Sequence, residues 1–272
     1  MASQDVDLEI QLLLEAIFEK YQYDFRRYGR ASMKRRLVRA AHRLGCRTLS
    51  ALQERVLHEP TVFPQLLEDL TIQVSDLFRD PSYFRAVRER VVPVLATYPS
   101  VKLWIAGCAT GEEVYSYAIL LREEGLLERT IIYATDIHPP ALAQAEAGVF
   151  ALERMPAFSE NYQRAGGKGS LSDHYVTGYG GAAFDRSLRA RVVFADHSLA
   201  TDEVFAEVQM VSCRNVLIYF DRGLQDRALR LFADALCPMG FLGLGARETV
   251  RFSAQAGRFT DFDRGERIYR RA

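Results

Sequence analysis

The stretch LWIAGCATGEEVYSYAI, Leu103 to Ile119, decides the fold. An apolar run holding the only tryptophan, Trp104, meets Gly107 and Gly111, then Glu112, Glu113 and a sequence of helical character. The order is strand, glycine turn, helix N-terminus. Such a junction aims backbone amides and a partial positive charge at one point, and glycine lets a ligand approach the main chain. It predicts a site for a nucleotide-like cofactor.

Outward from this stretch, the pattern continues as strand 101–106, helix 112–124, strand 130–135 and helix 139–147. Alternation of this kind predicts a parallel sheet with crossover helices. The second strand ends at Asp136, 25 residues after Gly111. In nucleotide-binding folds an acid about 20 residues past the glycine turn accepts hydrogen bonds from ribose hydroxyls. Asp136 is therefore a ribose-ligand candidate. Three residues separate Gly107 from Gly111, so the dinucleotide fingerprint G-x-G-x-x-G is missing and a cofactor without a diphosphate fits better.

Downstream, the glycines between Phe158 and Arg191 and the pieces HYVTGYGGAAFD and LRARVVF predict short antiparallel strands, with Val192–Phe194 returning to the parallel sheet. The run VQMVSCRNVLIYF, 208–220, predicts a buried central strand ending near Cys213. Asn215 then falls at the carboxyl edge of the sheet, where open α/β folds bind ligands. A helix over 222–236, a strand over 240–244 and a hairpin around 259–269 complete a methyltransferase-type sheet, mostly parallel with a reversed last strand.

Upstream, residues 5–70 carry apolar side chains at threes and fours, such as Leu8, Leu12, Leu13, Ala16 and Ile17, interrupted at Pro60 and Pro64. An all-helical N-terminal domain is predicted over 1–70, a linker and lead-in helix over 71–98, and a catalytic domain over 99–272 with a small β-subdomain inserted at about 171–194. From Phe25 to Gln53 there is no acidic residue, whereas Arg30, Lys34, Arg35, Arg36 and Arg39 are basic. The ordinary reading of a charge run is a solvated helix face. The complete lack of acids argues instead for a docking surface for an acidic partner.

Composition bounds the function. The 272 residues carry 35 basic and 35 acidic side chains, so the chain as a whole is not built to coat nucleic acid or a membrane. No basic-then-apolar leader opens the sequence and no window nears eighteen apolar residues, which predicts a cytoplasmic protein. Four scattered cysteines lack any C-x-x-C pair and five histidines lack H-x-x-x-H spacing, so no metal is expected.

The motifs TIQVSDLFRD, AGCATGEEVYSYA, ATDI and CRNVLIYFD, preceded by YGRASMKRRL, resemble the chemotaxis receptor methyltransferases of the CheR family, and the likeness spans nearly the whole chain. The resemblance implies a helical N-terminal domain, a doubly wound catalytic domain and an inserted β-subdomain. It also implies methyl transfer from S-adenosyl-L-methionine, leaving S-adenosyl-L-homocysteine, to glutamate side chains on the cytoplasmic methylation helices of membrane chemoreceptors. A monomer without nucleic-acid or membrane-inserted parts is expected.

Carried over by position, the family's cofactor contacts fall on Gln73, Ser75, Arg79, Glu113 and Asp136, then on Ser198, Leu199, Asn215 and Val216, with Gly107 in the turn. Gln73 and Ser75 stand where asparagine and threonine are common, Leu77 replaces a phenylalanine, and Ser198 replaces an asparagine or aspartate. Glu113 aligns with a cofactor contact, while Glu112 would only offset the helix dipole.

A glutamate carboxylate is already ionised at pH 7, so displacement at a sulfonium methyl needs no general base. Placement of the reactants is what the protein must supply, and Arg79 and Tyr219 are the candidates for orienting the acceptor. A methyltransferase with another acceptor, or a non-catalytic sensing or receptor-binding module, would share the cofactor residues.

Overall fold

The computed structural model describes residues 3–178 and 180–272, with side chains from Asp5 onward. Met1, Ala2 and Tyr179, which the sequence reading places at the N-terminus and in the glycine hairpin, lie outside the described residues.

Four helices come first: α1 (Ser3–Tyr21), α2 (Arg30–Arg43), α3 (Leu49–His58) and α4 (Val62–Leu70). Their apolar stripes converge on Leu13, Ile17, Leu37, Leu52, Val56, Leu66 and Leu70, all fully buried. Each such side chain contributes roughly 1.5–3 kcal/mol of burial. Thr48 opens α3 by accepting the Ala51 amide. Pro64, expected to interrupt helix, is the third residue of α4, where the missing N–H has no intrahelical partner to lose.

Segment 71–80 forms neither helix nor strand. It leads into α5 (Pro81–Ala86) and α6 (Val92–Leu95), joined by a π turn at Val87–Val91. One continuous helix was the expectation. Pro93 explains the difference, because it has no N–H and its ring collides with the carbonyl four residues back, so the turn before it widens.

The large sheet contains β1 (Val101–Ala106), β2 (Thr130–Asp136), β6 (Val192–Asp196), β7 (Val208–Cys213), β8 (Leu236–Leu244), β9 (Phe259–Asp263) and β10 (Ile268–Arg271), in the order β6-β2-β1-β7-β8-β10-β9. Pairings β6-β2, β2-β1, β1-β7 and β7-β8 are parallel, and β10 runs antiparallel to both neighbours. This is the mostly parallel sheet with a reversed strand that the sequence predicts. The crossovers include α7 (Glu112–Glu123), α8 (Pro139–Ala147) and α10 (Arg222–Ala235). The chain turns from β1 toward β2 on one side while β7 lies on the other, so a crevice opens at the carboxyl ends of β1, β2 and β7. Trp104 is fully buried on the α10 side, with its ring 5.4 Å from Phe232.

A second, antiparallel sheet has the order β3-β5-β4, from Val149–Ala151, Gly181–Phe184 and Tyr175–Gly178. Its first strand precedes the glycine-rich stretch. Phe158, read as the start of that stretch, instead lies in helix α9 (Met155–Arg164) and is fully buried. Val192 pairs with Ile132 in the large sheet.

Candidate functional site

A cleft opens at the strand tips, roofed by segment 70–79 and by Tyr28 and Arg36 of the helical layer. Gln73, Ser75, Arg79, Gly107, Glu113, Asp136, Leu199, Asn215, Val216 and Tyr219 all line it. Ser198 does not. It lines a neighbouring groove, its Oγ accepts the Ala200 amide, and its own amide donates to Asp202. The loop's own turn engages the Ser198 oxygen as an acceptor, outside the cleft lining.

Gly107 and Gly111 have φ of +74° and +94°, and a Cβ would lie 2.5 Å from Val216 Cγ2 at the first and 2.8 Å from Ala145 Cβ at the second. Both positions exclude any side chain. The turn delivers the Ala109 amide 2.9 Å from Asp136 Oδ2, while Asp136 Oδ1 accepts the His138 amide at 3.0 Å. Burial pushes the Asp136 carboxyl up, and these amides, with the Gln73 side chain, oppose that push.

The two glutamates after the turn differ from expectation. Glu112 is fully buried, accepts from Thr110 Oγ1 at 2.7 Å and pairs with Arg154 at 2.6 Å. Arg154 in turn bonds the Ser75 carbonyl and Asp76. Glu112 therefore anchors the cleft roof rather than merely offsetting a helix dipole. Glu113 Oε1 accepts Ser212 Oγ at 2.6 Å and Oε2 pairs with Arg214 at 3.1 Å. Ser212 also receives the Tyr117 hydroxyl at 3.2 Å, and Tyr117 meets Tyr83 at 2.7 Å, forming a buried hydroxyl chain behind Glu113.

Arg214 and Glu248 escaped sequence reasoning. Arg214 is buried, its guanidinium 4.1 Å from the Tyr83 ring, and it reaches Asp80 at 2.7 Å and the Arg79 carbonyl at 2.8 Å. A charged residue directly after a buried strand was the available signal. Asn215 adopts φ +61°, and its amide donates to buried Glu248 at 2.9 Å. The same carboxylate takes the Gly245 amide at 2.7 Å and the Ile218 amide at 3.3 Å. Burial pushes the Glu248 carboxyl up, and those amides oppose it.

The basic run divides. Arg30 and Lys34 pair with Asp7 of α1 at 3.5 and 3.1 Å, and Arg39 with Asp69 of α4 at 3.7 Å. Acids missing locally are thus supplied from neighbouring helices. Arg35 is exposed and has no acidic partner among the described residues. Arg36 does not belong to the surface at all: it is buried, donates to the Leu70 carbonyl, and sits 5.0 Å from the Tyr219 ring inside the cleft. Neither Arg36 nor Arg79 has a carboxylate partner among the described residues, and Arg79 only reaches the Val74 carbonyl at 3.4 Å.

No helix among the described residues is long and apolar enough to cross a membrane. Residues 8–71 match the CheR methyltransferase all-alpha domain and residues 73–265 match the CheR methyltransferase SAM binding domain. The Cher3 protein of Pseudomonas putida is 58% identical over 271 residues, covering 100% of this chain and 99% of that protein. Chemotaxis protein methyltransferase 2 of Pseudomonas aeruginosa is 31% identical over 81% of this chain and 77% of its own. The chemotaxis protein methyltransferase of Listeria innocua is 26% identical over 86% and 87%.

Proposed function

We propose that this chain, which belongs to the CheR methyltransferase family, methylates side-chain carboxylates of glutamates on the cytoplasmic methylation helices of chemoreceptors. The family makes it a methyltransferase of chemotaxis that uses S-adenosylmethionine; the acceptor is our reading of the cleft. We divide it as the sequence suggests, into a helical domain, a linker and a catalytic domain with its β-insertion, acting as a monomer.

The cleft fits the cofactor. Gln73 Oε1 is buried without a hydrogen-bond partner among the described residues, as expected of an atom reserved for a donor on a ligand. Asp136 offers its carboxylate, Leu199 and Val216 offer apolar walls, and the glycine turn brings main chain to the cleft surface. When bound, S-adenosylmethionine supplies an electrophilic methyl on a sulfonium sulfur. In this assignment Gln73, Ser75, Gly107, Glu113, Asp136, Leu199, Asn215 and Val216 hold it. Ser198 is left out because it lines the neighbouring groove and not this cleft.

The observation that carries the glutamate reading is the pair Arg36 and Arg79. Arg36 is a buried guanidinium without a counter-charge, which is costly, and with the partly exposed Arg79 on the same cleft lining it favours an anionic occupant. A carboxylate held between them beside Tyr219 is already ionised and needs no base. These side chains orient it and exclude water, an effect worth roughly 7–11 kcal/mol when geometry is good. Arg30, Lys34, Arg35 and Arg39 form the outer docking face in this proposal.

Incubating the protein with labelled S-adenosylmethionine and chemoreceptor-containing membranes tests this. Base-labile methyl on the receptor band is expected. Intact binding of S-adenosylhomocysteine with no label on any receptor overturns the acceptor assignment.

A further inference from the structure

Tyr83 of α5, Tyr117 of α7 and Ser212 of β7 are all buried, and none of them lines the cleft. Ser212 Oγ donates to Glu113 Oε1 at 2.6 Å, Tyr117 lies 3.2 Å from Ser212, and the two phenol oxygens are 2.7 Å apart. A carboxylate only accepts, so Ser212 spends its single proton on Glu113 and can only receive from the tyrosines. With Tyr117 donating to Ser212, Tyr83 donates to Tyr117, so each hydroxyl proton fills one bond and every bond points toward Glu113. If Tyr83, 3.4 Å from the serine, donates there instead, only the order of the tyrosines changes. Burial pushes both phenols up, which keeps their protons on them.

Tyr83 supports the other half of the carboxylate as well. Its ring lies 4.1 Å from the Arg214 guanidinium, whose Nη1 pairs with Glu113 Oε2. The sheet makes room for this phenol. Gly243 of β8 stands opposite Ser212 in the strand register, and a Cβ there would collide with the Tyr83 hydroxyl. Both oxygens of Glu113 are therefore held by groups that trace back to one side chain.

We propose that Tyr83 is a positioning residue for the cofactor site: through Tyr117 and Ser212 on one oxygen and Arg214 on the other, it fixes the orientation in which Glu113 meets the cofactor. Tyr83 itself touches neither cofactor nor acceptor. This assignment rests on Glu113 being one of the residues that hold S-adenosylmethionine.

The test is calorimetric binding of S-adenosylhomocysteine to wild type, Tyr83→Phe, Ser212→Ala and Glu113→Ala, and to each of the first two changes combined with Glu113→Ala. Tyr83→Phe keeps the ring beside Arg214 and removes only the hydroxyl. Tyr83→Phe and Ser212→Ala are each expected to weaken binding about three- to tenfold, the range of one net hydrogen bond. Once Glu113 is alanine, either change is expected to alter affinity by less than about twofold, because the group it acts through is gone. A merely structural role gives the same loss in both backgrounds, and that result overturns the proposal, as does wild-type affinity in folded Tyr83→Phe and Ser212→Ala. If Glu113→Ala does not fold, the cycle is run on Glu113→Asp, whose carboxylate falls one methylene short of Ser212, with the same outcomes. Unchanged affinity in the Glu113 variant itself removes Glu113 from the cofactor site, and failure of wild type to bind S-adenosylhomocysteine overturns the site as a whole; the proposal falls with either.

Discussion

Arg214 holds Glu113 from behind: its Nη1 lies 3.1 Å from Glu113 Oε2 while its Nη2 reaches Asp80 at 2.7 Å and the Arg79 carbonyl at 2.8 Å. One guanidinium thereby ties the start of α7 to the end of the cleft roof. Removing it strands a largely buried carboxylate. Arg214→Met is expected to cost about 3–5 kcal/mol in urea unfolding and to weaken S-adenosylhomocysteine binding. Arg214→Lys should not rescue, because an ammonium cannot span three acceptors in one plane. Retention of wild-type stability by Arg214→Met would show that the pair holds nothing.

Glu112 and Glu113 should separate by phenotype. Glu112→Ala leaves Arg154 without its buried partner and is expected to lower stability by about 3 kcal/mol, with cofactor affinity reduced indirectly through Ser75. Glu113→Ala removes a side chain that lines the cleft and also a partner of buried Arg214, so it should lower cofactor affinity directly and stability as well. Unfolding midpoints and product-binding constants for the two variants check this.

Arg79→Ala should leave S-adenosylhomocysteine affinity within a few fold while methyl transfer falls at least about 100-fold. Arg36→Ala should lower transfer similarly and also cost about 1 kcal/mol, because the Leu70 carbonyl loses its donor. Unchanged turnover in either variant removes that arginine from the acceptor site.

Glu248 does not itself line the cleft, yet it fixes the positive-φ turn at the lining residue Asn215 through three backbone amides. Glu248→Ala leaves those amides unpaired and is expected to destabilise the chain by about 2–4 kcal/mol. A loss of cofactor affinity larger than that of a surface control of equal stability would identify it as a positioning residue.

Acid should expose a different cluster. Burial pushes Glu123 up, but hydrogen bonds from His174, Tyr162 and Arg88, with the Arg88 charge, outweigh it and hold the carboxyl at about 2, below its ordinary 4.5. A folded-state value below the unfolded one stabilises the chain above pH 4.5, and this contribution is lost as the pH falls toward about 2. A gap of that size corresponds to about 3 kcal/mol. Urea midpoints between pH 6 and pH 3 should therefore drop steeply in wild type and less steeply in Glu123→Gln.

Much of the fold was legible because its signals are local. The seventeen residues Leu103–Ile119 encode strand, turn and helix in contiguous chain, and the two-sided burial of β7 shows as the apolar run before Cys213. Pro93 could have warned of the π turn. Helix α9 was harder to see, since the glycines that follow it at Gly166 and Gly167 drew its residues into an apparent loop.

The site shows where such reading ends. Spacing and position at the strand tips brought Asp136 and Asn215 forward as ligand candidates, and the resemblance to the family motifs added Gln73. Whether a charge is paired, buried or free depends on partners far away in sequence, such as the 135 positions between Arg214 and Arg79. Only packing placed Arg36 inside the cleft rather than on the basic face, put Ser198 in the neighbouring groove, and left the Gln73 acceptor unpartnered. Backbone propensity is set within a few residues, so the layers and the cofactor turn are written locally along the chain. Electrostatic pairing and burial are properties of the assembled chain, so the roles of these side chains were decided by the tertiary structure.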